Sequence, residues 1–180
     1  MTVAIYYASF YGSTRQYAEE LATRLGTTAE EIYEDTASAI LASKEPLIIL
    51  SPIHGPSHPG VKVVKEVGQE GVEKRKVALV TVGMTLDHVV EAQDPARALL
   101  GDLAGHVKRF YLPGRLNYSE LSPKHRNIMK GLITMLKLKP GKTENERMMI
   151  DTYGKDTDRV DLDRLCLLYT SDAADDTVPV

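Results

Sequence analysis

Val3-Ala4-Ile5-Tyr6-Tyr7-Ala8-Ser9-Phe10-Tyr11-Gly12-Ser13-Thr14 is the stretch on which the fold turns. Val3–Ala8 is a short apolar run rich in β-forming residues. Ser9–Thr14 interrupts it with hydroxylated side chains and a glycine. Beyond it, Tyr17, Ala18, Leu21, Ala22 and Leu25 recur at i, i+1, i+4, i+5 and i+8, and Gly26 supplies a C-terminal stop. The order strand, small-residue loop, helix is the opening unit of an α/β protein.

Further along the chain the unit repeats. Leu47–Leu50, Val77–Val82 and Val107–Leu112 are short apolar runs without the apolar/polar alternation of a half-exposed sheet. They read as parallel strands covered on both faces. Glu31-Ile32-Tyr33 is a weaker fifth strand, placed at an edge. Val61, Val64 and Val67 mark a helix starting near Pro59. Ala96, Leu99, Leu100 and Leu103 mark another, with Pro95 in its first turn. This alternation predicts right-handed crossovers and a doubly wound five-stranded parallel sheet of order 2-1-3-4-5. Ligands of such sheets bind beyond the carboxyl ends of the strands, at the point where strand order reverses. The loops facing that point are Ser9–Thr14, Ser51–Gly60 and Val82–Asp87.

Bulk properties narrow the classes. The 180 residues suit one domain, and 43% hydrophobic with 26% charged residues is ordinary for a globular chain. A net charge of −3 gives no global attraction to nucleic acid, so none is expected as a partner. No run reaches the roughly 18–20 apolar residues that span a bilayer. Met1–Tyr6 lacks the features of a signal peptide, so the cytoplasm is the expected location. The single Cys166 excludes an intramolecular disulfide framework and a cysteine metal cluster.

Ser9, Phe10, Tyr11, Gly12, Ser13 and Thr14 combine hydroxyls, a glycine permitting close backbone approach and the free N–H groups of a helix start. Together these make a cradle for a phosphate-sized anion. The loop has no cation before Arg15, so neutral donors and the helix dipole would do the holding. The competing reading is a Ser/Thr-rich run that only caps the helix.

Ser9-Phe10-Tyr11-Gly12-Ser13-Thr14 resembles the phosphate loop of flavodoxins, T/S-x-T-G-x-T, with Tyr11 standing where short-chain members carry Thr. Phe110–Leu121, containing Pro113-Gly114-Arg115-Leu116-Asn117-Tyr118, is similar to the flavodoxin-domain branch that includes menaquinone-dependent protoporphyrinogen dehydrogenase. Lys142-Thr143-Glu144 through Val160-Asp161 shares that look, and the resemblance spans roughly residues 3–165. It implies FMN as cofactor, electron transfer through the flavin, no catalytic acid or base, and a redox partner protein or a quinone as acceptor. It also implies that Pro52, Ile53, His54 and Gly55 wrap the isoalloxazine ring, with His54 stacking on it or donating a hydrogen bond. A solvent-exposed His54 is the alternative. Val82, Gly83, Met84 and Thr85 would offer backbone groups to the pyrimidine edge, unless they form an ordinary strand end. Leu86–Asp94 is short beside the long insertion of porphyrin-oxidising members, which counts against porphyrin chemistry. A flavin-free binding module on the same fold is the remaining alternative.

Other signals carry less. Gly141-Lys142-Thr143 ends like a Walker A motif, but Leu136 stands where Gly is needed and no strand precedes it. Thr143 and Glu146 instead fit a capping box. No G-x-G-x-x-G occurs, and Ala8 and Ser9 replace the acids of a receiver domain. Ser122–Lys142 has no Asp or Glu but carries Lys124, Arg126, Lys130, Lys137, Lys139 and Lys142. Ile128, Met129, Leu132, Ile133, Met135 and Leu136 form its apolar stripe. It reads as a helix packing on the domain with a solvated basic face, or as a peripheral membrane or acidic-partner contact. The domain is therefore drawn over 1–165, with a helical segment over 113–153. Cys166–Asp176 reads as the translation of a transposon sequencing adapter, so 166–180 is expected to be unstructured and the helix after strand five truncated.

Overall fold

The computed structural model describes residues 3–53 and 57–169. The chain runs β1 (Ala4–Tyr7), α1 (Ser13–Leu25), β2 (Ala29–Glu31), α2 (Thr36–Ala42), β3 (Leu47–Pro52), α3 (Pro59–Glu73), β4 (Val77–Gly83), α4 (Asp87–Gln93), α5 (Pro95–Leu100) and β5 (Val107–Pro113). A two-stranded ribbon of β6 (Arg115–Leu116) and β7 (Thr157–Asp158) then brackets α6 (Pro123–Leu138) and α7 (Glu144–Asp151). Among the described residues, the last element is the 3₁₀ segment Leu162–Leu168. The main sheet is parallel throughout, in the order β2-β1-β3-β4-β5, as the strand–helix alternation requires.

Pleating divides the apolar runs between two cores. Ile5, Tyr7, Ile48, Leu50, Ala78, Val80 and Val82 face one side, where Tyr17, Ala18, Leu21 and Ala22 of α1 cover them. Tyr6, Leu47, Ile49, Val77 and Leu79 face the other, under Val61, Val64 and Val67 of α3 and Ala96 and Leu100 of α5. Both faces are buried, which is why these strands show no polar alternation. The phenol of Tyr17, fully buried, donates to Pro113 O at 2.8 Å and accepts from Asp161 N at 2.7 Å. It ties α1 to the end of β5 and to the segment that closes the fold.

Some expectations need correction. The second strand lies at Ala29–Glu31, two residues before Glu31-Ile32-Tyr33, because Ile32 turns to pack against the α3-side core. Leu86–Asp94 contains a helix, α4, with no buried residue and hence no apolar period to read. Cys166, Leu167 and Leu168 are not unstructured: they complete the 3₁₀ segment, and Tyr169 accepts from Arg24 Nη1 at 3.0 Å. With about three residues per 3₁₀ turn, Leu162, Leu165 and Leu168 fall on one line. Leu165 and Leu168 are fully buried in the α1-side core, with Leu162 against it. The remainder of 166–180, from Thr170 on, lies outside the described residues.

Candidate functional site

The carboxyl ends of β1, β3 and β4 converge at the strand-order reversal, and the loops that follow them build the site. After β1, Ala8 N donates to Leu50 O at 3.0 Å, which anchors the phosphate-loop candidate against β3. Gly12 is the N-cap of α1, with φ 80° and ψ −16°, a left-handed conformation that glycine adopts without strain. As a glycine it brings no side-chain cap of its own to the helix. A helix start of this kind presents its first N–H groups toward the loop that precedes it. Ser13 and Thr14 are buried beneath the turn, Tyr11 is partly buried, with burial pushing its phenol up, and Phe10 is exposed. Ser9 Oγ is buried with no hydrogen-bond partner among the described residues. Buried hydroxyls are normally satisfied, so an orphan at the mouth of this helix fits an oxygen-rich ligand.

The second loop is fixed at both ends. Pro52 is buried at the end of β3, and Ile53 N donates to Val82 O at 3.3 Å. On the far side, Ser51 Oγ accepts from Gly60 N at 2.8 Å, and buried His58 caps α3 by accepting from Val61 N at its Nδ1. That acceptor role puts the proton on Nε2, which donates to Thr81 Oγ1 at 2.9 Å. Burial lowers the His58 pKa from 6.5 to about 4. His54 and Gly55 lie outside the described residues.

In the third loop, Val82 is buried and Gly83 closes the strand end. A Cβ on Gly83 would lie 3.0 Å from the Tyr111 hydroxyl and 3.1 Å from Ile53 Cγ2. The glycine thus lets β3, β4 and β5 pack closely at this strand end. Two backbone acceptors are already engaged: Met84 O takes Arg159 Nη1 at 3.2 Å, and Thr85 O takes the Tyr111 hydroxyl at 2.9 Å. Burial pushes the Tyr111 phenol up to about 12, so it stays a donor. Ile53, Met84 and Thr85 meet at a cavity of about 320 Å3 whose other walls come from beyond β5: Leu116, Tyr118, Met129, Asn145, Met148, Met149 and Thr152. A broader cleft of about 1090 Å3 lies between Ile32–Glu34 and the start of α3.

Two participants were not legible as site residues. The methionines of α6 and α7 reach the cavity only through the folding of 113–158 back across the sheet end. Arg115 reaches the first loop from β6: its Nη1 lies 3.9 Å from the space a Gly12 Cβ would fill, and its Nη2 donates to Gln16 Oε1 at 3.1 Å. The signal available was Arg115 itself, in the segment after strand five.

No curated protein sequence matches the chain. Among solved structures, the Trp repressor binding protein from Bacillus subtilis is similar at a TM-score of 0.41 and 12% identity, covering 89% of this chain and 100% of that one. A family model described as Flavodoxin domain matches residues 4–144. That match takes in the whole main sheet, the loop after β1 and the loops after β3 and β4, and the chain belongs to the flavodoxin domain family.

Proposed function

We propose that the protein binds FMN at the strand-order reversal and transfers electrons through it. The observation that carries this reading is the loop after β1: a helix start whose N-cap is a left-handed Gly12, and an orphaned Ser9 hydroxyl. The terminal phosphate would rest on the N–H groups of Ser13 and Thr14 and on Ser9 Oγ. The ring would lie toward Ile53, Met84 and Thr85, with residues 52–55 wrapping it. When bound, FMN supplies the capacity to accept and release electrons. The protein's own part is to bind and orient it, keep water from one side and set the charge around it.

The test is a titration of apoprotein with FMN and with riboflavin, followed by flavin fluorescence. FMN is expected to bind at least roughly tenfold more tightly, the difference one phosphate makes on a preformed anion site. Gly12→Val is expected to narrow the gap, since a β-branched residue at φ 80° must shift the cradle. Equal affinities for the two flavins in the wild type overturn the reading.

The cavity beyond Met84 favours an apolar acceptor over a protein one. Met84, Met129, Met148 and Met149 give it soft, adaptable walls, and its volume of about 320 Å3 suits a single ring system such as a quinone. A protoporphyrinogen dehydrogenase type of reaction is the alternative enzyme, selected by porphyrin-dependent reduction of the flavin. A flavin-free binding module would leave both flavins unbound.

For α6 the two readings of its stripe separate by residue. Ile133 and Leu136 are buried, as a packing helix requires, while Ile128, Met135 and Leu138 stay exposed. No helix among the described residues is long and apolar enough to cross a membrane. The exposed edge shares its helix with exposed Lys124 and Lys130, with no acid from 122 to 142, which is complementary to an anionic lipid surface. Co-sedimentation with phosphatidylserine-containing vesicles is expected at low salt and is expected to fall as salt screens the lysines. No co-sedimentation at low ionic strength would leave α6 with packing alone.

A further inference from the structure

The loop that cradles the anion carries no cation of its own. Residues 8–14 are uncharged, and Arg15 points along α1 to Glu19 at 2.7 Å, with its side chain largely in solvent. A phosphate monoester is close to a dianion at neutral pH, and helix N–H groups neutralise only part of that charge. Arg115 stands where the missing cation is needed. It opposes Asp158 in the antiparallel β6–β7 ladder, and its Nε and Nη2 both donate to Asp158 Oδ2, at 2.9 and 2.6 Å. Asp158 Oδ1 accepts from Val160 N at 3.0 Å, which fixes the carboxylate plane. Nη2 also reaches Gln16 on the second turn of α1. Three hydrogen bonds therefore hold the guanidinium beside the start of α1. Nη1, which makes none of them, is the atom nearest the open side of Gly12.

We propose that Arg115 is the phosphate-binding cation of this site and the residue that makes it select a phosphorylated flavin over an unphosphorylated one. The inference rests on the FMN reading above. The fork geometry suits it: one edge of the guanidinium is spent on Asp158 while the remaining nitrogen is aimed at the cradle. Asp158 is a positioning residue. Partial burial works against its charge, but the hydrogen bonds and charge of Arg115, with the Val160 amide, hold its carboxyl below the usual carboxylate range. The ribbon thus acquires a purpose. It carries Arg115 back to the start of α1, where its contact Gln16 is 99 positions away in sequence.

The experiment compares FMN and riboflavin affinity, by fluorescence titration of the full chain, in wild type, Arg115→Gln and Asp158→Asn. Arg115→Gln is expected to lose roughly ten- to hundredfold in FMN affinity, the range of one charge-assisted hydrogen bond, with riboflavin affinity unchanged. Asp158→Asn keeps an oxygen acceptor to position Nε and Nη2 but removes the negative charge that competes with the phosphate for the cation, so FMN is expected to bind more tightly than in wild type. If the pair matters only for folding the ribbon, the two variants will behave alike, and the inference falls. It falls equally if Arg115→Gln weakens both flavins in parallel or neither. In those outcomes the wild type still prefers FMN, so the broader reading survives. A wild type that does not discriminate overturns both.

Discussion

Replacing Leu165 and Leu168 together by alanine is expected to remove most of the stability of the chain. Both side chains are fully buried in the core that α1 builds on the sheet, beside Ile5, Leu50 and Val80. Each Leu→Ala change at such a site costs about 2–5 kcal/mol, the larger values where the cavity cannot collapse. The pair therefore approaches the ~5–15 kcal/mol that holds a typical domain. The 3₁₀ segment has little of its own to resist with, since its hydrogen-bond geometry is poor and its place depends on the leucines. Its polar tethers are two part-buried bonds, the Asp161 amide to the Tyr17 phenol and Arg164 Nη2 to Asp87 Oδ2. Leu167, half-exposed on the same segment, is the internal control: Leu167→Ala is expected to cost well under about 1 kcal/mol. Thermal unfolding should show the double variant melting more than about 10 °C below wild type, given roughly 2–4 °C per kcal/mol in a chain of this size. A double variant that melts with the wild type would mean that this segment does not cover the sheet in solution.

The same segment marks the boundary of what the residues reveal by pattern. β3 and β4 are legible because both faces are buried, so every residue from Leu47 to Leu50 and from Val77 to Val82 must be apolar or small. The loop after β1 is legible because its chemistry is local: a glycine, hydroxyls and a helix start within a few positions. α4 is illegible because it buries nothing, and β6 and β7 because two residues hold no period. Leu162, Leu165 and Leu168 follow a three-residue period that neither the α-helical nor the strand template scores. Arg115 belongs to the site only through a ribbon partner in Asp158, and such long-range pairing leaves no trace in either strand alone. The thiol and tail of 166–169 read as foreign by codon origin, yet leucine at the right spacing packs whatever its origin.

His58 gives the second large effect, and its sign follows from the direction of its shift. Burial holds the folded-state pKa at about 4, below the ordinary 6.5, by disfavouring the charged ring. Its neighbours are the Thr81 hydroxyl and the Val61 amide, and protonating Nδ1 would put a second donor against that amide. Above pH 6.5 both folded and unfolded chains hold His58 neutral, and stability does not depend on it. Between 6.5 and about 4 the unfolded chain takes up a proton that the folded chain refuses, so stability falls as pH falls. Below that window both forms are protonated and the loss levels off. At about 1.4 kcal/mol per pH unit the full loss comes to about 3 kcal/mol. Carboxylates held low in the fold, Asp87 by Arg164 and Asp158 by Arg115 among them, begin to matter only as their own ordinary range is reached, at the lower edge of this window. His58→Asn keeps a side-chain acceptor for the α3 cap without a titrating group. Urea unfolding of the wild type is expected to weaken steadily from pH 6.5 to 4.5, and that of His58→Asn to stay level over the same span. The wild type would then lose its advantage over the variant as the solution is acidified. A wild type as stable at pH 4.5 as at pH 7 would show that His58 is not held neutral beneath the second loop.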